Sequence, residues 1–203
     1  MSQTTVRIVL IGMVFAFCSP DIIMNGAADQ EAYISMAGGG HILYLTKEQR
    51  EAIKAYNSAF QIRREADYLP TLLKEYIFSN HQLPFAVVGD FNGDGRNDVV
   101  LQGYDKTNDL TIAVLSSSRG SAVMEIGRSK LINPETEFYA AGDHNEHGLW
   151  MYLTFVPRGM VDSPFAQHPL KLSTDAFELN YFEKASVLYY LNGQVFQKYV
   201  VSD

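Results

Sequence analysis

The sequence predicts an α+β domain in which an N-terminal helical pair packs on a mainly antiparallel β-sheet, with an acidic loop set between two of the strands. Three observations predict it. Apolar residues recur at helical spacing from Thr46 to Ser79, short apolar runs broken by turn chemistry follow from Leu83 onward, and a nine-residue acidic stretch separates two of those runs.

The first helix is expected over 46–66. Thr46 followed three residues later by Gln49 forms a capping-box signature, and Ile53, Tyr56 and Phe60 then share one helical face. The second helix is expected over 69–79, where Leu69, Leu72, Leu73, Tyr76 and Ile77 trace an i, i+3, i+4, i+7, i+8 stripe and Pro70 suits the first turn. Strands are expected over 85–88, 98–103, 110–116, 123–126, 138–140, 149–156, 177–181, 187–191 and 195–201. The last two flank Asn192-Gly193, a pair that tolerates the positive φ of a type I′ hairpin turn. Phe177, Tyr181, Phe182, Tyr189, Tyr190, Phe196 and Tyr199 read as filling one face of the sheet, in preference to a carbohydrate-stacking platform.

The acidic stretch reads Asp90-Phe-Asn-Gly-Asp-Gly-Arg-Asn-Asp98. Oxygen-bearing side chains fall at loop positions 1, 3, 5 and 9, with Gly95 at position 6, and alternate residues of such a tight loop can turn inward toward one hard cation. Asp90, Asn92, Asp94 and Asp98 would supply side-chain oxygens to Ca²⁺, and Arg96 its main-chain carbonyl. A helix-loop-helix calcium hand would place glutamate at position 12, where this chain has Leu101. The β-branched flanks read strand-loop-strand instead.

Those residues carry a resemblance. The run from Phe85 to Val100 resembles the calcium-binding segment of FG-GAP and VCBS-type repeats, over about 83–115. The resemblance implies a β-hairpin with calcium ligands at Asp90, Asn92, Asp94 and Asp98, and it implies no catalytic activity. The Phe-Gly and Gly-Ala-Pro elements of the family are absent, and so is an array of strong copies, so a full propeller is not expected. A second stretch, Ala141-Gly-Asp-His-Asn-Glu-His-Gly148, keeps Asp143, Asn145 and Gly148 at positions 1, 3 and 6 but has His147 and Met151 at positions 5 and 9. It reads either as a degenerate second repeat or as chance. The same 143–147 stretch offers an alternative chemistry, because His144 and His147 could hold zinc while Glu146 or Asp143 acts as a base in a metal-assisted hydrolase.

The 203 residues are 47% hydrophobic and carry a formal charge of −7, enough for one core and the wrong sign for nucleic acid. Residues 1–28 read as a signal peptide: Arg7 precedes an apolar run over 8–17 that would rise only about 15 Å as a helix, half of a ~30 Å hydrocarbon core. Cys18 offers a lipid-anchor reading that the bulky Phe17 before it disfavours. No transmembrane span is expected once the signal is removed. Residues 29–45, ending in Gly38-Gly-Gly40, read as a flexible lead-in, and 46–203 as a single α+β domain. Without Cys18 the chain has no cysteine, so a divalent cation takes the place of a disulfide in a calcium-rich compartment. The expectation is a secreted or periplasmic calcium-binding module of non-enzymatic, structural or interaction type, whose protein or glycan partner the sequence does not name.

Overall fold

A computed structural model describes residues 23–25, 31–37, 40–141, 144–165 and 168–202. In chain order the elements are β1 (Ile23–Asn25), β2 (Tyr33–Ala37), β3 (Gly40–Leu45), α1 (Lys47–Tyr56), β4 (Gln61–Ile62), a 3₁₀ turn (Glu65–Asp67) and α2 (Pro70–Glu75). The middle of the chain holds β5 (Gln82–Leu83), β6 (Ala86–Gly89), β7 (Asp98–Tyr104), β8 (Asn108–Ser117) and β9 (Gly120–Lys130). Then follow β10 (Phe138–Ala141), β11 (His144–His147), β12 (Met151–Val156), β13 (Gly159–Val161), β14 (Leu170–Leu172), β15 (Ala176–Tyr181), β16 (Ala185–Asn192) and β17 (Val195–Ser202).

Two antiparallel sheets make the body. The first runs β5-β6-β7-β8-β9 with β4 paired to β7, and the second runs β12-β15-β16-β17. Their facing surfaces interlock through Val87, Val100 and Ala113 on one side and Leu153, Phe177, Leu179 and Tyr189 on the other. The opposite face of the first sheet carries Val88, Val99, Leu101, Ile112 and Val114, which bury under Ile34, Leu43, Leu45 and Ile53 from β2, β3 and α1. Strand β7 is therefore covered on both faces, which is why residues 99–101 read as an unbroken apolar run rather than an alternating one. The outer face of the second sheet packs Ala176 and Leu188 against Leu172 of β14.

The expected helical pair on a sheet is not what forms; the domain is predominantly β, with two short helices that cover separate patches. Helix α1 keeps the capping box at Thr46 and Gln49 but ends at Tyr56, ten residues short of the expected end at 66. Asn57 adopts extended backbone, accepts from the Ala59 amide at 3.0 Å and donates to Asp105 at 3.0 Å. The residues beyond it pair as β4 with β7 instead of continuing the helix. Helix α2 stops at Glu75 because Tyr76 turns extended and sends its hydroxyl to the Leu153 carbonyl at 2.8 Å. Ile77, the last position of the expected stripe, is 77% exposed. Tertiary pairing has overridden helical periodicity in both places.

Each of the nine expected strands has a counterpart, and β8 and β9 extend beyond their expected ends. Residues read as a lead-in instead include β2 and β3, which pair with each other, while β1, inside the stretch read as a signal, pairs parallel to β3. The remainder of that signal, with Cys18, lies outside the described residues. Among the described residues no helix is long and apolar enough to cross a membrane. The last hairpin forms, but its two turn residues are Gly193 and Gln194, with Asn192 paired to Val195; positive φ at Gly193 alone is the type II′ pattern. The C-terminal aromatics divide by strand parity between layers. Phe177, Tyr181, Tyr189 and Phe196 face the first sheet, Tyr190 and Tyr199 face β13 and β14, and Phe182 joins the N-terminal core.

Candidate metal loop between β6 and β7

The two strands that flank the loop pair in register from Ala86–Leu101 to Gly89–Asp98, so residues 90–97 form the connection of a tight hairpin. Turn backbone there is set by positive φ at Gly93 and Gly95, near +80° in both, a region that residues with a β-carbon resist. Phe91 is wholly buried, and its ring meets Phe177 edge-on at 5.9 Å, which pins the loop to the second sheet.

Side-chain oxygens of the expected ligands fold the loop on itself. Asp90 accepts from the amides of Gly93 at 2.7 Å and Gly95 at 3.1 Å. Asn92 accepts from the Asp94 amide at 2.9 Å, and Asp94 from the Arg96 amide at 3.0 Å. Asp98 is the hub. One of its oxygens accepts from the amides of Phe91 and Asn92, and the other from the Ser116 amide at 2.6 Å and the Asn92 side chain at 3.4 Å.

Asp98 is fully buried, Asp90 half-buried, and Asp94 and Arg96 exposed. Burial pushes the Asp98 carboxyl up to about 7; the three backbone donors oppose that rise, and the neighbouring Asp94 charge adds to it. A cation in the loop would act against the same penalty. The donor set is all oxygen, which suits Ca²⁺ and not a thiolate- or imidazole-seeking metal. Asp90 and Asp94 accept a single amide on each bonded oxygen and keep a lone pair there for a metal, whereas each Asp98 oxygen already accepts two donors, so ligation by Asp98 would displace one of them. Among the described residues no three His, Cys, Asp or Glu side chains converge as a metal-holding group. Asp90, Asp94 and Asp98 are thus not drawn to one point in this structure.

Four residues that the loop sequence does not reveal complete its frame. Asp175 accepts from the Asp90 amide at 3.0 Å and returns its own amide to the Asp90 carbonyl at 3.1 Å, across 85 residues of chain. Gly89 permits that approach, since a β-carbon there would sit 2.7 Å from the Phe155 ring and 3.2 Å from Asp175. On the other flank, Gln49 is completely buried and donates to the Asn97 carbonyl at 3.1 Å and to Ser116 at 3.0 Å. No local pattern marks Asp175 or Ser116. Gln49 carried a signal of its own, as the partner in the capping box, but not for this second task.

The 143–147 stretch is built differently. His144 and His147 belong to β11, paired with β10, and a separation of three residues gives them opposite parity on that strand. His147 lies tilted against the Phe138 ring at 5.4 Å, and Glu146 caps α2 by accepting from the Thr71 amide at 2.9 Å and its hydroxyl at 2.6 Å. Asp143 lies outside the described residues. Of the more distant histidines, His41 stacks on Phe78 and His81 on Phe155, apart from this loop.

No family model, curated protein or solved structure matches this chain.

Proposed function

We propose that the chain is a calcium-braced β-sandwich module of structural or interaction type, non-enzymatic, working in a secreted or periplasmic setting where calcium is abundant. The observation that carries this reading is the all-oxygen loop of Asp90, Asn92, Asp94, Arg96 and Asp98, held between β6 and β7 with one carboxylate fully buried beneath it. Drawing Asp90, Asp94 and Asp98 around one point would set like charges against one another, at about 4 kcal/mol per contact at 4 Å and an effective dielectric near 20. Bound Ca²⁺ replaces that repulsion with attraction. Its role is mechanical: it would fasten the β6–β7 turn to β8 through Ser116 and to the second sheet through Phe91 and Asp175. The resemblance of 83–115 to FG-GAP and VCBS-type segments supports the same reading, from sequence alone.

Extracellular calcium modules bind at about 10⁻⁴–10⁻³ M, so affinity in that range is expected. Calorimetric titration of Ca²⁺ into the chelator-treated full chain should give one site, and Asp94→Ala should remove it. Equal heat from the variant would place the ion elsewhere. Retention of Mg²⁺ in preference to Ca²⁺ would overturn the choice of metal.

A further inference from the structure

Away from the loop, the two sheets part at one end and leave a cleft of about 390 Å³ between their inner faces. It lies within the ~300–1,000 Å³ range of small-molecule sites. Its walls are mostly apolar and aromatic, with Trp150, Tyr181 and Tyr189 contributed by the second sheet and its leading edge.

Two features distinguish this space from a packing fault. Gln102 lines it, is 5% exposed, and is oriented by Tyr68, whose hydroxyl donates to the Gln102 Oε1 at 2.5 Å. Its Nε2 has no hydrogen-bond partner. A buried amide donor without an acceptor costs about 1–3 kcal/mol, and turning the amide over would only exchange an orphaned nitrogen for an orphaned oxygen. The second feature is Gly127, which stands opposite Thr111 in the β8–β9 register and so shares the face that lines the cleft. A β-carbon there would meet nothing within 4 Å. Glycine inside a strand weakens pairing and often marks the close approach of another molecule.

Charge selects the ligand's outer end. The buried Asp109 is matched by Arg63, and Arg128 is engaged by Glu125 at 2.6 Å. Exposed Lys198 reaches over the Tyr189 ring at 5.5 Å, at the open side of the cleft. We propose that the cleft binds a small amphipathic carboxylate with an apolar body, whose acid group meets Lys198 and whose far end presents an oxygen to Gln102. This site is separate from the calcium loop and does not depend on it.

Trp150 is the chain's single tryptophan and lines the cleft, so its emission reports occupancy without labelling. The test titrates the full chain with ω-hydroxydecanoate, decanoate and the neutral decanediol, following Trp150 emission and heat. The hydroxy acid should bind about tenfold more tightly than decanoate, which lacks the inner oxygen, and the diol should bind more weakly than the hydroxy acid. Gly127→Leu, which fills the cleft, should abolish both signals. Lys198→Glu, at an exposed position, should weaken both acids about tenfold without altering the fold. Paired replacement Tyr68→Phe with Gln102→Met should erase the advantage of the hydroxy acid over decanoate. If Gly127→Leu does not fold, Lys198→Glu and the paired variant decide. Silence with all three probes, meaning that water alone meets Gln102, would overturn the proposal. So would unchanged acid affinity in the folded variants.

Discussion

At the residue scale, Asp98 joins the chemistry of a proposed metal ligand to the burial of a core residue. Its oxygens receive three backbone amides and one side-chain amide, so Asp98→Asn would set a new donor against existing donors. The expected loss is about 1–3 kcal/mol, read by chemical denaturation. The pH dependence follows from the raised carboxyl. In the metal-free chain, folded Asp98 holds its proton to about 7 while an unfolded aspartate releases it near 3.8, so the folded state binds more protons between those values. Its contribution is full below about pH 4 and is lost as pH rises through about 7. Metal-free stability should fall across that window, and Asp98→Asn should flatten the fall; an unchanged slope would assign it to other groups. Away from the loop, Arg63 and Asp109 are 3% and 8% exposed and bonded together, with Ile132 donating its amide to Asp109. Asp109→Ala strands a buried guanidinium and should cost about 3–5 kcal/mol, visible as a lower denaturation midpoint.

At the element scale, what the sequence disclosed depended on how local the cause was. The loop between two strands, the capping box and the nine strands were legible because turn glycines, caps and apolar runs act over a few residues. Helix ends were not. Residues 57–66 carry helical spacing, yet β4 finds an open edge position on β7, and Asn57 is held by Asp105, partners that sequence spacing cannot locate. Strands β2 and β3 escaped because the glycines over 38–40 dominate their stretch, although Ile34, Leu43 and Leu45 are core residues. Asp175 and Ser116 were invisible for the same reason as the strand partners: their contacts with the loop span long stretches of chain. Helix α1 gives an element-level prediction. Gln49 holds the Thr46 amide, the Asn97 carbonyl and Ser116 together, so the helix N-terminus and the end of the metal loop share one side chain. Gln49→Ala should lower stability by about 1–3 kcal/mol and weaken Ca²⁺ binding together. Loss of stability with calcium affinity intact would separate the helix from the loop.

At the scale of the whole molecule, the layers are stitched at few places, and the 90–98 loop is one of them. It closes the β6–β7 hairpin, touches β8 through Ser116, meets the second sheet through Phe91 and Asp175, and contacts the N-terminal layer through Gln49 and the Asn97 bond to the Ala32 carbonyl at 2.8 Å. An ion bound there would stabilise all three layers together rather than one turn. Calcium at tenfold over its dissociation constant adds roughly 1.4 kcal/mol, which for a domain of this size raises the melting temperature by about 3–6 °C. The decisive measurement is thermal unfolding of the full chain and of Asp94→Ala, each in millimolar calcium and in chelator. The account predicts a single transition that calcium raises by that amount in the native chain and leaves unmoved in Asp94→Ala; an equal rise in both, or none in the native chain, would contradict it.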